Sequence, residues 1–354
     1  MRKVITRRSF LAGATAGTAS IFVPRAAATR DHARLDEAAM QQSRAPMHFA
    51  QYHNQAANSS LHKRLTEMWS AVRAETGGKV GADVFALNNN LPGSDPAALK
   101  MLMSGEIQFF TLMGGVLGAA VPVAAIQQVP FAFRTAPQAH QAMDGPLGAY
   151  IVQEMAVKGI HGFAVGALDN GMRQMTTVAK PIVVPAHLQG MKMRVPASVM
   201  FNDVFKALGC VPVTVNSIDI HAALKSGKVD AQENPLAVVD GFKLYEVVKY
   251  VSMTNHMWSS FNQMAHLPTW QSLPADVRQV IDRNVTKAAR AQRADQAAAN
   301  GRLRAELTKR GLVFNDVDQA PFRKQLSGFY RTWKGELGTK AWSLLEQASG
   351  ASLA

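Results

Sequence analysis

The sequence has 354 residues, which exceeds the usual size of one domain and predicts two lobes. Hydrophobic residues make up 47% and charged residues 18% of the chain, a composition that excludes a disordered protein. The formal net charge is +13, but the Lys and Arg residues are scattered without a basic block, which argues against a nucleic-acid-binding protein.

The first 28 residues have the order of an export signal. Arg7 and Arg8 precede Ser9-Phe10-Leu11, then come a weakly apolar stretch over 12–23 and small residues at 26–28. The arginine pair resembles a twin-arginine signal, and an ordinary Sec-type signal is the alternative. We expect residues 1–28 to be removed and residues 29–45 to form a polar N-terminal tail. No later segment reaches 18 uncharged apolar residues, so we expect a periplasmic chain without stable membrane insertion.

The first part of the mature chain has the pattern of a βαβ unit. Alternating polarity predicts a strand over 47–52, and Asn58-Ser59-Ser60 predicts the start of a helix that ends at 76–78. A second strand over 79–87, a loop over 88–96 and a helix over 97–104 follow. The apolar run 107–112 predicts a buried parallel strand that opens at Gly114-Gly115 toward a cleft.

The same rhythm returns in the second half of the chain. We predict a strand over 159–168, a turn over 170–174 into a second lobe, and a linker over 181–185. Strands over 188–196, 211–215 and 229–232 alternate with helices over 200–208 and 218–226. Leu273-Pro274 begins a long helix that continues almost to Gly311, as a strut touching both lobes, with Gly301 as a candidate bend.

The order of these motifs resembles that of the solute-binding proteins of tripartite ATP-independent periplasmic (TRAP) transporters. The resemblance spans roughly residues 46 to 312, and no single segment carries it alone. The matching segments are 76–80, 105–109, 129–133, 169–173, 206–209, 254–256, Leu188-Gln189-Gly190-Met191-Lys192-Met193-Arg194-Val195-Pro196 and Gly227-Lys228-Val229-Asp230-Ala231-Gln232-Glu233-Asn234-Pro235.

The resemblance implies an α/β fold, a two-lobed periplasmic binding protein clamshell of type II-like form. Hinge crossovers would join the lobes, and a long C-terminal helix would span both of them. Lobe I would comprise residues 46–170 plus about 259–298, and lobe II would comprise residues 171–258 plus about 299–354. The implied function is the capture of a small organic carboxylate and its delivery to a TRAP membrane permease driven by an ion gradient.

The resemblance also implies which residues hold the ligand. Arg194, before Val-Pro, would pair with the carboxylate, because a guanidinium offers a rigid fork of donors to two oxygens. Arg173 and Asn234 would add a second cation and an amide, and Glu233 would orient an arginine together with Gln232. Further cleft residues by rough alignment are Tyr52, Asp95, Met113 and Ser217, and Trp258 could close over the ligand. Sugar-acid binders of the family commonly carry a polar residue at the position of Met113. The apolar side chain here therefore argues against a heavily hydroxylated ligand.

Motifs for cofactors, metals and catalysis are missing from the sequence. The ten histidines show no metal-ligand spacing, and no Gly-x-Gly-x-x-Gly or Gly-x-Ser-x-Gly sequence occurs. Cys210 is the only cysteine, in an apolar context typical of a core residue. We therefore expect no cofactor, no metal and no enzyme. Two alternatives stay open: an exported enzyme acting on a carboxylate, and a ligand-sensing subunit that docks on a membrane sensor.

Overall fold

The computed structural model describes residues 46–353, so the predicted signal peptide, the predicted tail and Ala354 lie outside the described residues. The strands are β1 (Met47–His53), β2 (Val80–Phe85), β3 (Phe109–Met113), β4 (Ile160–Thr177), β5 (Lys192–Val195), β6 (Val211–Thr214), β7 (Ala231–Asn234), β8 (Tyr250–His266) and β9 (Val313–Asp316). The helices are α1 (Ser60–Glu75), α2 (Ser94–Ser104), α3 (Gly114–Leu117), α4 (Ala136–Met143), α5 (Pro146–Val157), α6 (Val199–Ala207), α7 (Ile220–Lys225), α8 (Leu236–Gly241), α9 (Leu267–Ser272), α10 (Ala275–Lys309), α11 (Ala320–Gln325) and α12 (Ser327–Ser349).

The strands join into one mixed sheet in the order β2-β1-β3-β8-β4-β7-β5-β6, and β9 pairs with β8. At one end β1 is parallel to both β2 and β3, and at the other end β5 is parallel to both β6 and β7. These two parallel groups, each with its helices, are the two lobes of an α/β clamshell. The antiparallel pair β4 and β8 joins them. The carboxyl ends of parallel strands are where α/β sheets bind ligands.

Local sequence accounts for the βαβ unit that the sequence predicts. The hydroxyl of Ser59 accepts a hydrogen bond from the backbone N–H of His62 at 3.2 Å and so caps α1. The buried face of α1 comprises Leu61, Leu65, Met68, Trp69 and Val72. Gly105 ends α2 in the left-handed conformation, with φ at 82°. The parallel pairing of β1 and β2 confirms the predicted unit.

The central strands correct one prediction. Residues 170–174 do not turn out of the sheet but continue β4, which pairs with β8 from Ile160 to Thr177. The pairing shifts register at three places, one of them between Asp169 and Gly171, where Gly171 takes a φ of 108°. The turn signal thus marks a β-bulge, because the hydrogen bonds of β8 hold the strand on both sides of it.

The strut helix α10 continues through Gly301, the candidate site of a bend or break. It runs for 35 residues, and its backbone is helical at Gly301, so the helix does not break there. No atom within 4 Å crowds the missing side chain of Gly301, and buried residues lie on the helix both before and after it. Packing on both sides of the glycine accounts for the unbroken helix.

Two clusters of buried apolar residues form the core. The larger cluster extends from α1 to α6 and includes Phe109, Phe110 and Phe201. The smaller one lies at the β6 end of the sheet and includes Ile220, Val239 and Leu307. The predicted crossing points at 170/171 and 258/259 fall inside β4 and β8, where Gly171 pairs with Ser259. The exact lobe boundaries stay a prediction.

Residues 46–353 contain neither a membrane-spanning helix nor a metal-ligand cluster. No helix in this range combines the length and apolarity needed to cross a bilayer. No group of three or more His, Cys, Asp or Glu side chains in this range is placed to hold a metal ion. Cys210 is buried, and burial raises the pKa of its thiol to about 12, which suppresses the reactive thiolate.

Candidate ligand-binding site

Arg194 is a buried cation at the carboxyl end of β5. Its side chain is only 2% exposed, and Nε and Nη2 both donate to the carbonyl oxygen of Val215, at 2.9 and 2.7 Å. A guanidinium has five N–H donors, and three of those on Arg194 have no partner anywhere in residues 46–353. No carboxylate forms an ion pair with it within this range. Burial lowers the pKa of Arg194 to about 10, partly opposed by the negative charges of Glu233 and Asp95.

Arg173, on β4, is surrounded quite differently. Nε donates to Glu233 Oε2 at 2.5 Å, and Nη2 donates to Glu233 Oε1 at 2.8 Å and to Asn234 Oδ1 at 2.9 Å. Nη1 donates to Ser259 Oγ at 3.2 Å and contacts Met113 Sδ at 3.6 Å. Every N–H of this guanidinium therefore has a partner within the protein, so Arg173 fixes Asn234 rather than offering donors of its own.

Glu233 neutralises this second arginine. Burial alone would raise the pKa of the Glu233 carboxyl, but Arg173 and His256 hold it below its ordinary value. His256 Nε2 lies 3.3 Å from Glu233 Oε2, and burial lowers the pKa of this imidazole. The Glu233 carboxylate thus forms its ion pair with Arg173 and not with Arg194.

Asn234 and Gln232 share a strand next to Arg194. Asn234 Nδ2 donates to Gln232 Oε1 at 2.6 Å, and the backbone of Gln232 pairs with that of Arg194. Gln232 in turn donates to Thr176 Oγ1 at 2.5 Å. One N–H of Asn234 has no partner in the described residues and lies beside the same arginines. These contacts place Gln232 behind Asn234, where it fixes the amide.

Asp95, at the start of α2, is a buried carboxyl held by two amides. Asn54 Nδ2 donates to Oδ2 and Asn88 Nδ2 donates to Oδ1, both at 2.7 Å. Burial raises the pKa of Asp95, while the two amides and the charge of Arg194 oppose that rise. Asp95 and Arg194 therefore influence each other electrostatically without a hydrogen bond between them.

The lobes touch beside Met113, at the end of β3. The phenyl ring of Phe201 on α6 lies 5.1 Å from the Arg173 guanidinium and also packs near Gly115 on α3. The oxygens Gln128 Oε1 and Ser198 Oγ are buried near the same glycine and have no hydrogen-bond partner within residues 46–353. The thioether of Met113 and the phenyl ring of Phe201 both pack against the Arg173 guanidinium.

Two cavities border this cluster without including Arg194. One of about 440 Å³ is lined by residues that include Asn170 and Gln292. The other, of about 470 Å³, is lined by residues that include Gly115 and Ser198. Arg194 lines neither cavity, because the lobes touch around it and bury it. This arrangement corresponds to the closed state of a clamshell.

The structure places the other predicted residues as follows. Tyr52 is half-buried on β1, with its ring 4.9 Å from that of Phe85, and Ser217 is half-buried two residues beyond the carbonyl that holds Arg194. Trp258 is not brought to the cluster. It is paired with Met172, next to Arg173 on the strand, so its side chain points to the opposite face of the sheet.

Trp258 contacts β4 and α4 rather than the arginine cluster. Its indole N–H donates to Asp169 Oδ1 at 2.9 Å, and its ring packs edge-on against Phe133 and His140. Asp169 also exchanges backbone hydrogen bonds with the side chain of Gln292 on α10, both at 2.7 Å. Trp258 is therefore a core residue that fixes the bulge of β4.

Sequence reasoning missed several residues around the cluster. Asn54, Asn88, Phe201 and Ser259 contact the predicted residues from distant parts of the chain. The run Asn88-Asn89-Asn90 was the one available signal, since asparagine is enriched where a non-glycine residue takes a positive φ.

Comparison with known proteins gives one family model and many relatives. The model of bacterial extracellular solute-binding protein family 7, DctP, matches residues 51–336. An uncharacterized protein of Sinorhizobium fredii is 33% identical over 260 residues, which is 73% of this chain and 45% of that protein. The chain thus spans less than half the length of that relative. The 2,3-diketo-L-gulonate-binding periplasmic protein of Escherichia coli is 28% identical over 68% of this chain and 71% of its own.

A solved structure shows the same fold. The TRAP periplasmic solute binding protein from Polaromonas sp. JS666, bound to D-erythronate, superposes with a TM-score of 0.81 and 25% identity. The match covers 86% of this chain and 99% of the other. The clamshell predicted from the sequence is therefore confirmed.

Proposed function

Because this chain belongs to bacterial extracellular solute-binding protein family 7, we propose that it is a receptor that captures a small organic carboxylate and delivers it to a TRAP permease. The family consists of solute-binding receptors and not of enzymes. The ligand would be captured between the two lobes of the clamshell, since closing two lobes around a hinge removes the ligand from water.

The observation that carries the proposal is the unpaired Arg194. A buried guanidinium destabilises a fold when its lost hydration is only partly replaced, and the one acceptor bonded to Arg194 within residues 46–353 is the Val215 carbonyl oxygen. A ligand carboxylate would accept two or three of the free N–H groups of Arg194 and one from Asn234. Hydrogen bonds to charged groups contribute about 1.5–3 kcal/mol each, so the ligand stabilises the closed state.

The free hydrogen-bond donors favour a single carboxylate. Glu233 and Asn234 accept the hydrogen bonds of Arg173, so of the two arginines only Arg194 has N–H groups left for a ligand within residues 46–353. The 2,3-diketo-L-gulonate and D-erythronate named for two relatives each carry one carboxylate, which agrees with a single anchor. Met113 and Phe201 give the site an apolar side against which a short carbon chain would pack.

Export and partner choice are part of the proposal. The sequence of residues 1–28 supports a signal peptide of the twin-arginine type and a periplasmic location. Family membership supports a TRAP permease as the partner that receives the ligand.

A thermal-shift screen tests the function. We would purify the protein from the periplasm of expressing cells and add D-erythronate, 2,3-diketo-L-gulonate, lactate, pyruvate and succinate in turn. An acid at a hundred times its Kd stabilises the fold by about 2.7 kcal/mol, which raises the Tm of a chain this size by about 5 °C. The Arg194→Lys variant keeps the charge but loses the fork, and we expect no shift. Exposed Arg290 supplies a matched control, and Arg290→Lys should respond like the wild type.

Each outcome decides between functions. A shift by a monocarboxylate that Arg194→Lys abolishes supports the receptor. A shift that survives Arg194→Lys contradicts the assignment of the anchor. If no acid shifts the wild type, the receptor function fails, and release of a new product from any of these acids would establish an exported enzyme instead.

A further inference from the structure

Two consecutive glutamines after β3 meet two consecutive serines on the central strand β8. Gln127 Oε1 accepts a hydrogen bond from the Ser260 hydroxyl, and Gln128 Nε2 donates to Ser259 Oγ at 3.2 Å. All four side chains are buried. These bonds fix the segment after β3 against the strand that joins the two lobes.

The hydroxyl of Ser259 is surrounded by donors only. Besides Gln128 Nε2, its Oγ is approached by Asn170 Nδ2 at 3.1 Å and by Arg173 Nη1 at 3.2 Å. A serine hydroxyl has two lone pairs and one proton of its own. Three donors therefore exceed what the oxygen can accept, and no acceptor in the described part of the chain takes the Ser259 proton.

The Gln128 amide can supply the acceptor that Ser259 lacks. Its Oε1 is buried and has no hydrogen-bond partner within residues 46–353. A half-turn of the amide about its last bond exchanges Oε1 and Nε2. Oε1 then accepts the proton of Ser259, whose two lone pairs are left for Asn170 and Arg173. The same half-turn places the N–H donors of Gln128 where the unpaired oxygen was.

Ser198 of the second lobe presents a second unpaired group. It is only 6% exposed, and its Oγ is buried without a hydrogen-bond partner among residues 46–353. Ser198 is the N-cap residue of α6, where a serine oxygen ordinarily accepts a bond from the first turn of the helix. It makes no such bond here. Its hydroxyl is therefore not used by its own helix.

Gly115 brings the two unpaired groups together. Ser198 Oγ lies 3.2 Å from the position that a Cβ on Gly115 would occupy, and Gln128 Oε1 lies closer still. The two groups thus lie over the same glycine, one from each lobe, without a bond between them. A small further approach of the lobes brings the rotated Nε2 of Gln128 within hydrogen-bond distance of Ser198 Oγ.

We propose that Gln128 is a positioning residue that latches the closed lobes. Its rotated amide donates to Ser198 Oγ and accepts from Ser259 Oγ. The inference rests on the proposed function, since the bond to Ser198 forms when the ligand draws the lobes together. Ser259 in turn bonds to Arg173, which holds Asn234, so the latch also supports the amide assigned to the ligand carboxylate. Because release requires the lobes to separate, the latch slows the release of the ligand.

The binding kinetics of Gln128→Met and Ser198→Ala test the latch. Methionine keeps the length of glutamine without its amide, and alanine removes only the hydroxyl. Stopped-flow tryptophan fluorescence follows the acid identified by the thermal-shift screen, and Trp333 borders the same cavity as Ser198. We expect release to become at least about fivefold faster in each variant, the effect of losing one hydrogen bond. The association rate should keep its wild-type value, because the ligand meets the open state.

A double-mutant cycle distinguishes one bond between the two residues from two separate effects. If Gln128 and Ser198 bond to each other, the double variant should release the acid as fast as Gln128→Met alone, within about twofold. Gln279→Met and Ser70→Ala make the same changes at exposed positions and should keep the wild-type rates. The Tm of ligand-free Ser198→Ala should equal that of the wild type, because its hydroxyl has no bond to lose within residues 46–353.

The outcomes separate the latch from the receptor function. If an acid binds the wild type but Ser198→Ala leaves its release unchanged, or if the effects of the two variants multiply, the latch is wrong and the receptor function stands. A lower Tm of ligand-free Ser198→Ala without faster release would assign the hydroxyl to stability instead. If circular dichroism shows that Gln128→Met does not fold, the release rate of Ser198→Ala decides. If no acid of the thermal-shift panel binds, the receptor function fails and the latch fails with it.

Discussion

Arg173 and Arg194 are identical side chains with different hydrogen-bond partners. Both are almost fully buried, and both stand among the residues that the family resemblance assigns to the carboxylate. Arg173 donates all its N–H groups to Glu233, Asn234, Ser259 and Met113, whereas three N–H groups of Arg194 have no partner within residues 46–353. This difference supports the proposal that Arg194 binds the ligand carboxylate and that Arg173 positions Asn234.

The buried His53 should make stability depend on pH. Burial, and then the neighbouring His62, lower the pKa of His53 from 6.5 to about 3. The unfolded chain then binds a proton below pH 6.5 that the folded chain does not, so stability rises with pH in this window and is lost as pH falls toward 3. We expect a contribution of about 2 kcal/mol to be lost between pH 6.5 and pH 5.

Urea unfolding at pH 5, 6 and 7 measures this dependence. His53→Gln should flatten it, because glutamine does not titrate, while His48→Gln at an exposed position should leave it unchanged. An equally steep pH dependence in His53→Gln would assign the effect to other groups.

Among the elements, the contact between α3 and α6 controls how closely the lobes approach. A Cβ at Gly115 would lie against Gln128 Oε1, 2.9 Å from Phe201 Cε2 and 3.2 Å from Ser198 Oγ. Phe201 and Ser198 follow β5 in the second lobe, whereas Gly115 and Gln128 follow β3 in the first. A glycine at this position therefore lets the lobes meet.

We expect Gly115→Ala to weaken binding of the acid identified by the thermal-shift screen about tenfold. Overpacking of this kind costs about 1–3 kcal/mol. The contacts with Phe201 and Ser198 exist only when the lobes meet, so their part of the cost falls on the closed state. Isothermal titration measures the affinity. Gly335→Ala on α12 is the control, because nothing lies within 4 Å of its missing side chain. Unchanged affinity in Gly115→Ala would mean that closure does not depend on this contact.

At the scale of the whole molecule, the contact between the lobes encloses polar groups. Arg194 is buried with three N–H groups unbonded within residues 46–353, and the side-chain oxygens of Gln128 and Ser198 have no hydrogen-bond partner in that range. We expect opening of the lobes to return these groups to water, and a ligand carboxylate to bond to Arg194. The ligand thus shifts a population from open to closed.

Small-angle scattering should detect this shift. We expect the radius of gyration of the ligand-free protein to exceed the value for a compact chain of this size, about 19 Å, and to fall when the identified acid is added. In Arg194→Lys the acid should cause no change. A ligand-free protein that is already compact would show that the unpaired groups do not keep the lobes open.

The α/β rhythm and the family resemblance can be read from the sequence. The βαβ spacing follows from local periodicity, and the resemblance implies that Arg194, directly before Val195-Pro196, is the ligand anchor. These features depend on residues that are close together in the chain. Strand β8 and the continuous course of β4 were not visible there, since a bulge and a turn have the same local signal.

The tertiary structure alone decided which polar groups are occupied and which are free. Glu233 meets Arg173 across 60 residues and Asp95 meets Asn54 across 41, and neither pair has a local signature. Whether a donor is available to a ligand depends on every partner that the fold brings near it. Only the folded sheet therefore shows that the donors of Arg173 are bonded within the protein and that Trp258 lies on the opposite face of the sheet from Arg173.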